Sequence, residues 1–236
     1  MSESNSTAGG GASGRSMFDK VWDMHAIERT ADGDTLLYVD RALIHEGARH
    51  AFDMLEAAGR SVARPDQVFA FADHYAPTRS GERGLAAVND PAIRNMIELL
   101  DSNTRKHAIK QFGLGHERHG ILHVVPPELG ITQPGLLMVG ADSHTSTHGA
   151  LGALAFGVGA TETHHVLATQ TIWQRRPRTM RIRVDGELPL GVVAKDIILA
   201  IIGRIGTAGA VGHAVEYAGS TIESLSMEGR MTVCNM

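Results

Sequence analysis

Residues 139–165 read VGADSHTSTHGALGALAFGVGATETHH, so that Asp142, Ser143 and His144 stand directly after an apolar run and directly before a stretch of small residues. An imidazole beside a carboxylate is oriented and kept basic enough to exchange protons near neutral pH. The same pairing of types recurs once upstream, where Asp73 and His74 close the run VFAFADH, and a third histidine, His123, lies within ILHVV. In open α/β sheets ligands gather outside the carboxyl ends of the strands. Three histidines and two acids at the edges of apolar runs therefore point to general acid–base chemistry at one sheet edge. Taken singly, Asp73 and His74 read equally well as a turn cap, and His123 reads as a buried structural histidine. Gly149, Gly152, Gly157 and Gly159, interleaved with alanines, let backbone approach closely, either to a packed layer or to a ligand beside the triplet. A mononuclear metal hydrolase built on His74, His123, His144 and Asp142 would use the same residues without cysteines.

Positioning such residues takes alternating helices and strands. Apolar spacing predicts a helix from Met17, with Phe18, Val21, Trp22 and His25 on one face, a strand in TLLYVD, and a second helix stopped by Gly59. VFAFADH is expected to be a buried strand. Asp90 and Pro91 predict the N-cap and first position of a helix, with Gly113 past its end. ILHVV and GLLMVGADSH are expected to be strands, the small-residue stretch a helix carrying His164 and His165, and TMRIRVDG a further strand. AKDIILAIIGRIG reads as a helix, and STIESLSMEGRMTVCNM begins as another, with Met227, Met231 and Met236 expected in the core. Helices separating strands predict an α/β class with a first lobe over 17–176 and a second over 177–236. Residues 1–16, MSESNSTAGGGASGRS, lack any apolar period and are expected to be a disordered tail.

Composition narrows the function classes. The chain has 236 residues, 43% hydrophobic and 20% charged, which is ordinary for a globular protein with a sizeable core. Its apolar runs are too short or interrupted to span a bilayer. A net charge of -4 argues against a broad nucleic-acid surface. One cysteine, Cys234, excludes an internal disulfide and fits a reducing, cytoplasmic setting. Thirteen histidines against three tyrosines favour chemistry over simple packing.

Long motifs carry a more specific reading. GILHVVPPELGITQPGLLMVGADSHTSTHGALGALAFGVGATETHHVLATQT, with LLYVDRALIHE, FADH, AKDIILAIIGRIG and SMEGRMTVCNM, resembles the aconitase superfamily, most nearly the large subunit of 3-isopropylmalate dehydratases, from about Met17 onward. The resemblance implies aconitase-type α/β/α layers and a hydro-lyase that shifts a hydroxyl between neighbouring carbons through an alkene. It also implies a [4Fe-4S] cluster held by three cysteines, with one open iron acting as a Lewis acid. By motif, His74 supported by Asp73 would protonate the departing hydroxyl. His123 paired with Asp142, together with His144, would hold the oxygen, Ser143 would line the substrate side, and Asn235 would reach toward the cluster.

The same resemblance places every cluster cysteine beyond the CNM motif, so Cys234 matches no ligand and no metal ligand is assigned within this chain. The expectation is a large subunit truncated before its cysteine-bearing domain is complete. Its partners would be the missing C-terminal part, a small subunit carrying the swivelling domain and the catalytic base, and a small hydroxy-acid substrate. His50 stands where the family has a substrate-facing glutamine, and the connection FGLGHERHGILH is short by several residues. A non-catalytic interaction protein keeping the fold is the alternative from another class.

Overall fold

The computed structural model describes residues 14–79 and 84–236. In chain order it runs α1 (Met17–His25), β1 (Ala26–Arg29), β2 (Asp34–Tyr38), β3 (Arg41–His45), α2 (Arg49–Ala57), β4 (Val68–Phe71), α3 (Pro91–Lys106) and β5 (Lys110–Phe112). Then come α4 (Val125–Glu128), β6 (Leu137–Gly140), β7 (Leu154–Gly157), α5 (Ala160–Thr169), β8 (Thr171–Arg175), β9 (Arg178–Arg183), α6 (Ala194–Ile205), β10 (His213–Ala218), α7 (Ser220–Ser224) and α8 (Met227–Asn235). A 3-10 helix, Thr145–Leu151, links β6 to β7.

Five strands form a wholly parallel sheet in the order β5-β4-β3-β6-β7. Side chains alternate across it as strand geometry demands. Ala42, Ile44, Val68, Ala70, Leu137 and Val139 face a core completed by Phe18 and Trp22 of α1, Phe52 and Leu55 of α2, Ile97 of α3 and Leu167 of α5. Leu43, Phe71 and Met138 face the opposite side, packed on Phe112, Leu122 and Val125. Burial on both faces explains why these strands are short, nearly continuous apolar runs. Successive strands step outward from β3 to β4 and β5, and then resume on its other side at β6 and β7. The strand order thus reverses at β3, which opens a crevice at the carboxyl edge between β3 and β6. An antiparallel sheet, β1-β2-β8, and a parallel pair, β9 with β10, complete the described strands.

Several local expectations are corrected. ILHVV is not a strand: it forms turns that lead into α4, because Pro126 and Pro127 cannot supply ladder donors but suit the start of a helix. The small-residue stretch is a 3-10 helix, then β7, and only then α5. Gly152 at φ +82 ends the first piece, and Gly157 lies in the strand. Helix α3 stops at Lys106, since Ala108 at φ +56 turns the chain into β5 before Gly113 is reached. Met227 and Met236 are exposed and Met231 is half-buried, so they are not core.

Residues 1–13 of the expected tail lie outside the described residues. Ser16, by contrast, belongs to α1: its hydroxyl accepts from the Asp19 N–H in a reciprocal capping box. Among the described residues no helix is long and apolar enough to cross a membrane.

Candidate active site

Four loops at the carboxyl edge of the parallel sheet bring the predicted residues together. Asp73 and His74 follow β4, Asp142, Ser143 and His144 follow β6, and His45 ends β3. The turns before α4 deliver His123. Asp142 is the hub. Its Oδ1 accepts from His123 Nε2 at 2.6 Å and from the His144 backbone N–H at 2.8 Å, and its Oδ2 accepts from His74 Nε2 at 3.0 Å. His144 Nδ1 lies 3.5 Å from the same Oδ1, and the Ser143 hydroxyl lies 3.4 Å from His144 Nδ1.

His74 sits between two carboxylates, donating from Nδ1 to Asp73 Oδ1 at 2.8 Å and from Nε2 to Asp142. Asp73 is fixed in turn, because its Oδ2 accepts the Leu122 N–H at 2.7 Å. Burial works against charge on His74, but the bonds to Asp73 and then Asp142 outweigh it and lift its pKa above the ordinary imidazole value. His123 goes the other way: burial dominates even the Asp142 contact and pushes its pKa down. Burial likewise opposes ionisation of Asp142, yet bonds from His123, the His144 amide and His74 hold it well below the usual carboxylate range. The site therefore favours charge on one imidazole and disfavours it on another around the shared carboxylate of Asp142.

Local backbone chemistry holds Asp142 in place. The Thr145 hydroxyl donates to the Asp142 carbonyl at 2.7 Å, and the Thr147 hydroxyl donates to the His144 carbonyl at 2.6 Å. Gly157 explains part of the small-residue stretch, since a Cβ there would lie 2.5 Å from the Asp142 carbonyl oxygen. That close approach borders a hollow of about 410 Å³ lined by Ala141, Asp142, Ser143, Gly157 and Val158. A larger apolar cleft of about 1010 Å³, between α1, β7, β10 and α8, contains none of the predicted site residues, so cavity size alone does not mark the chemistry.

Asn235 reaches the site at one remove, donating to Thr147 Oγ1 at 2.9 Å, while Ser146 Oγ donates to the Cys234 carbonyl at 2.8 Å. Helix α8 is thus pinned to the 3-10 turn behind His144. His50 is exposed on the first turn of α2, and no hydrogen bond ties it to the cluster among the described residues.

Two neighbours escaped the sequence reading. His45 stacks on His74 with ring centroids 3.9 Å apart and planes within 13°. Its Nε2 donates to the Ala141 carbonyl at 2.8 Å, and its Nδ1 accepts from the Gly47 N–H at 3.1 Å. Glu46, fully buried beside it, accepts the Asp73 N–H at 3.2 Å and the Tyr75 N–H at 2.8 Å. His45 ends the apolar run ALI, so the strand-end rule that found His74 would have found it too. His148, at 0% exposure, carried no comparable signal in a run of small residues.

Among the described residues only one group of three or more, His45, Glu46 and His74, brings potential metal-ligating atoms all within 4.8 Å of one another. Their nitrogens and oxygens are already engaged by backbone and carboxylates. The four residues of the hydrolase alternative form no such group, and His74 and His123 both direct Nε2 at Asp142 instead.

At the switch point of the parallel sheet, two imidazoles whose pKa values are shifted in opposite directions share one carboxylate, an arrangement suited to proton transfer. The chain belongs to the aconitase family: the model of the "Aconitase family (aconitate hydratase)" matches residues 19–236. That is a family of hydro-lyases acting on small hydroxy acids, generally with a [4Fe-4S] cluster. The residues present here do not fit the cluster. The chain has a single cysteine, Cys234, and burial pushes its thiol up to about 11, far from the thiolate that binds iron.

Proposed function

We propose that this chain is the N-terminal part of a hydro-lyase large subunit of the 3-isopropylmalate dehydratase kind, interconverting 2-isopropylmalate and 3-isopropylmalate in cytoplasmic leucine biosynthesis. One observation carries the reading: His74, about one-third exposed, is held between Asp73 and Asp142, whose hydrogen bonds lift its pKa above the ordinary imidazole value. A charged imidazole at the mouth of the crevice is poised to protonate a departing hydroxyl near neutral pH. Donation frees Nε2 from Asp142, while Asp73 keeps the ring aimed through Nδ1. Rehydration returns the proton to the same nitrogen. His144 binds oxygen on the substrate, Ser143 lines its approach, and Asn235 steadies the turn through Thr147, while His123, whose two ring nitrogens face Asp142 and His148, steadies Asp142 from behind.

The carbon-bound proton is taken by a base on the small subunit's swivelling domain, and the cluster thiolates come from polypeptide other than these residues. On this reading the chain alone is catalytically incomplete. The lone cysteine also fits a second reading, an interaction protein that keeps the fold. The test is assembly of the chain with a cysteine-bearing remainder and the small subunit, followed by turnover of isopropylmalate. Turnover is expected, and His74→Ala should lower it by roughly 10²–10⁴-fold. Full activity in His74→Ala would remove the proton donor, and no turnover in any assembly would favour the interaction protein.

A further inference from the structure

Behind His123 the hydrogen bonds continue inward. His123 Nδ1 faces His148 Nε2 at 3.3 Å, and His148 Nδ1 faces Thr132 Oγ1 at 2.8 Å. Thr132 is 3% exposed and His148 fully buried, so the protonation of each nitrogen is decided by its protein partner. Asp142 Oδ1 is an acceptor only, which places a proton on His123 Nε2. Across the 3.3 Å gap one nitrogen carries hydrogen and the other a lone pair, since two protons would repel and two lone pairs would leave both acceptors buried and unpaired.

We propose that His148 is a positioning residue: its Nε2–H donates to His123 Nδ1, so that His123 is held with its only proton on Nε2 and is barred from taking a second. Thr132 completes the set by donating its hydroxyl proton to His148 Nδ1. The opposite polarity would make His123 an imidazolium inside the protein. Burial weighs most heavily against that charge, with His144 adding to it, while Asp142 and Asp73 pull the other way. His148 is itself kept uncharged, its pKa pushed down to about 3 by burial and by His123.

The consequence reaches His74 through Asp142. While His123 stays uncharged, the negative charge of Asp142 is free to hold His74 charged; a proton on His123 would compete for it. The use of this device in turnover rests on the hydro-lyase reading, but the protonation pattern does not.

The test is nitrogen-detected NMR of the imidazole rings in the full chain, with His74→Gln and His123→Gln assigning the signals. In the unsubstituted chain His123 and His148 should each show a single protonated nitrogen, Nε2, with no titration of His123 between about pH 6 and 8. In His148→Leu the His123 titration should move up by about one pH unit or more and that of His74 should move down. His148→Gln, whose amide restores a donor near the same point, should return both toward the original values. A proton on His148 Nδ1 rather than Nε2 in the unsubstituted chain overturns the proposal, and that measurement needs no variant to fold. An unshifted His123 in folded His148→Leu overturns it as well. Neither readout involves turnover, so failure here is separate from failure of the His74→Ala assay.

Discussion

Replacing Asp142 by Asn tests whether one ionised acid organises the site. The amide keeps the shape of the carboxylate and one of its oxygens. The three donors at stake are His123 Nε2 at 2.6 Å, the His144 N–H at 2.8 Å and His74 Nε2 at 3.0 Å. A hydrogen bond to a charged group contributes about 1.5–3 kcal/mol and a neutral one about 0.5–1.5 kcal/mol, so neutralising the acceptor loses about 1 kcal/mol per donor. Relief of the cost of burying the charge offsets part of this, leaving an expected destabilisation of about 1–3 kcal/mol near pH 6. The pH dependence follows from the direction of the shifts. The Asp142 pKa is lowered in the fold, so its contribution is full above the unfolded value near 3.9 and is lost as pH falls through the folded value. The His74 pKa is raised, so its share is full below about 6.5 and fades as pH rises through the folded value. The stability gap between the original chain and Asp142→Asn should therefore peak between about pH 5 and 6.5 and narrow on both sides. Urea unfolding followed by circular dichroism from pH 3 to 9 measures it. A gap that does not vary with pH, or a variant more stable than the original at pH 6, would refute the electrostatic account.

Two further outcomes are expected. Gly157→Ala sets a methyl 2.5 Å from the backbone oxygen of Asp142, a contact that only movement of the loop can relieve; a loss of about 1–3 kcal/mol by thermal or urea unfolding is expected, together with altered His74 and His123 ring signals. His25 is buried and donates from both nitrogens, to the Val21 carbonyl at 2.7 Å and to Asp40 Oδ2 at 2.6 Å. Burial resists the charge, but Asp40 and Val21 overcome it and raise the His25 pKa. Its contribution is thus present below about pH 6.5 and lost as pH rises through the folded value. The unsubstituted chain should shed about 1–3 kcal/mol of its advantage over His25→Gln between pH 6 and 9, and an advantage that grows with pH would count against a charged His25.

What the sequence made legible follows from how local each signal is. The rule that an imidazole after an apolar run marks a strand end places His74 and His144 correctly, because β4 and β6 are buried on both faces and read as uninterrupted apolar runs. The same rule misplaces His123. ILHVV has the composition of a strand, but the prolines after it are what the backbone obeys, and the residue arrives at the site on a turn. The glycine-rich stretch misled in the same way, since composition alone does not distinguish a helix of small residues from a strand whose glycine admits a carbonyl oxygen. Gly157 is required by the position of Asp142 across a ladder, a relation between residues 15 apart that no helical or strand period encodes.

The residues that escaped notice share a physical reason. His148, Thr132 and Glu46 are buried polar groups whose partners lie on other elements, and a one-dimensional pattern carries no sign of them. Each nevertheless settles something the visible residues cannot settle for themselves. Glu46 ties down the loop that carries Asp73 and His74 by accepting two backbone donors. His148 and Thr132 give the inner nitrogen of His123 a partner, without which a buried lone pair would stand open beside an ionised acid. A strand-end histidine can be read from sequence as able to hold a proton, but whether it holds one at neutral pH depends on these hidden contacts. Within a single cluster, burial lowers His123 while two carboxylates raise His74, and the opposition of those shifts is what gives one imidazole a proton to donate and leaves the other without a second.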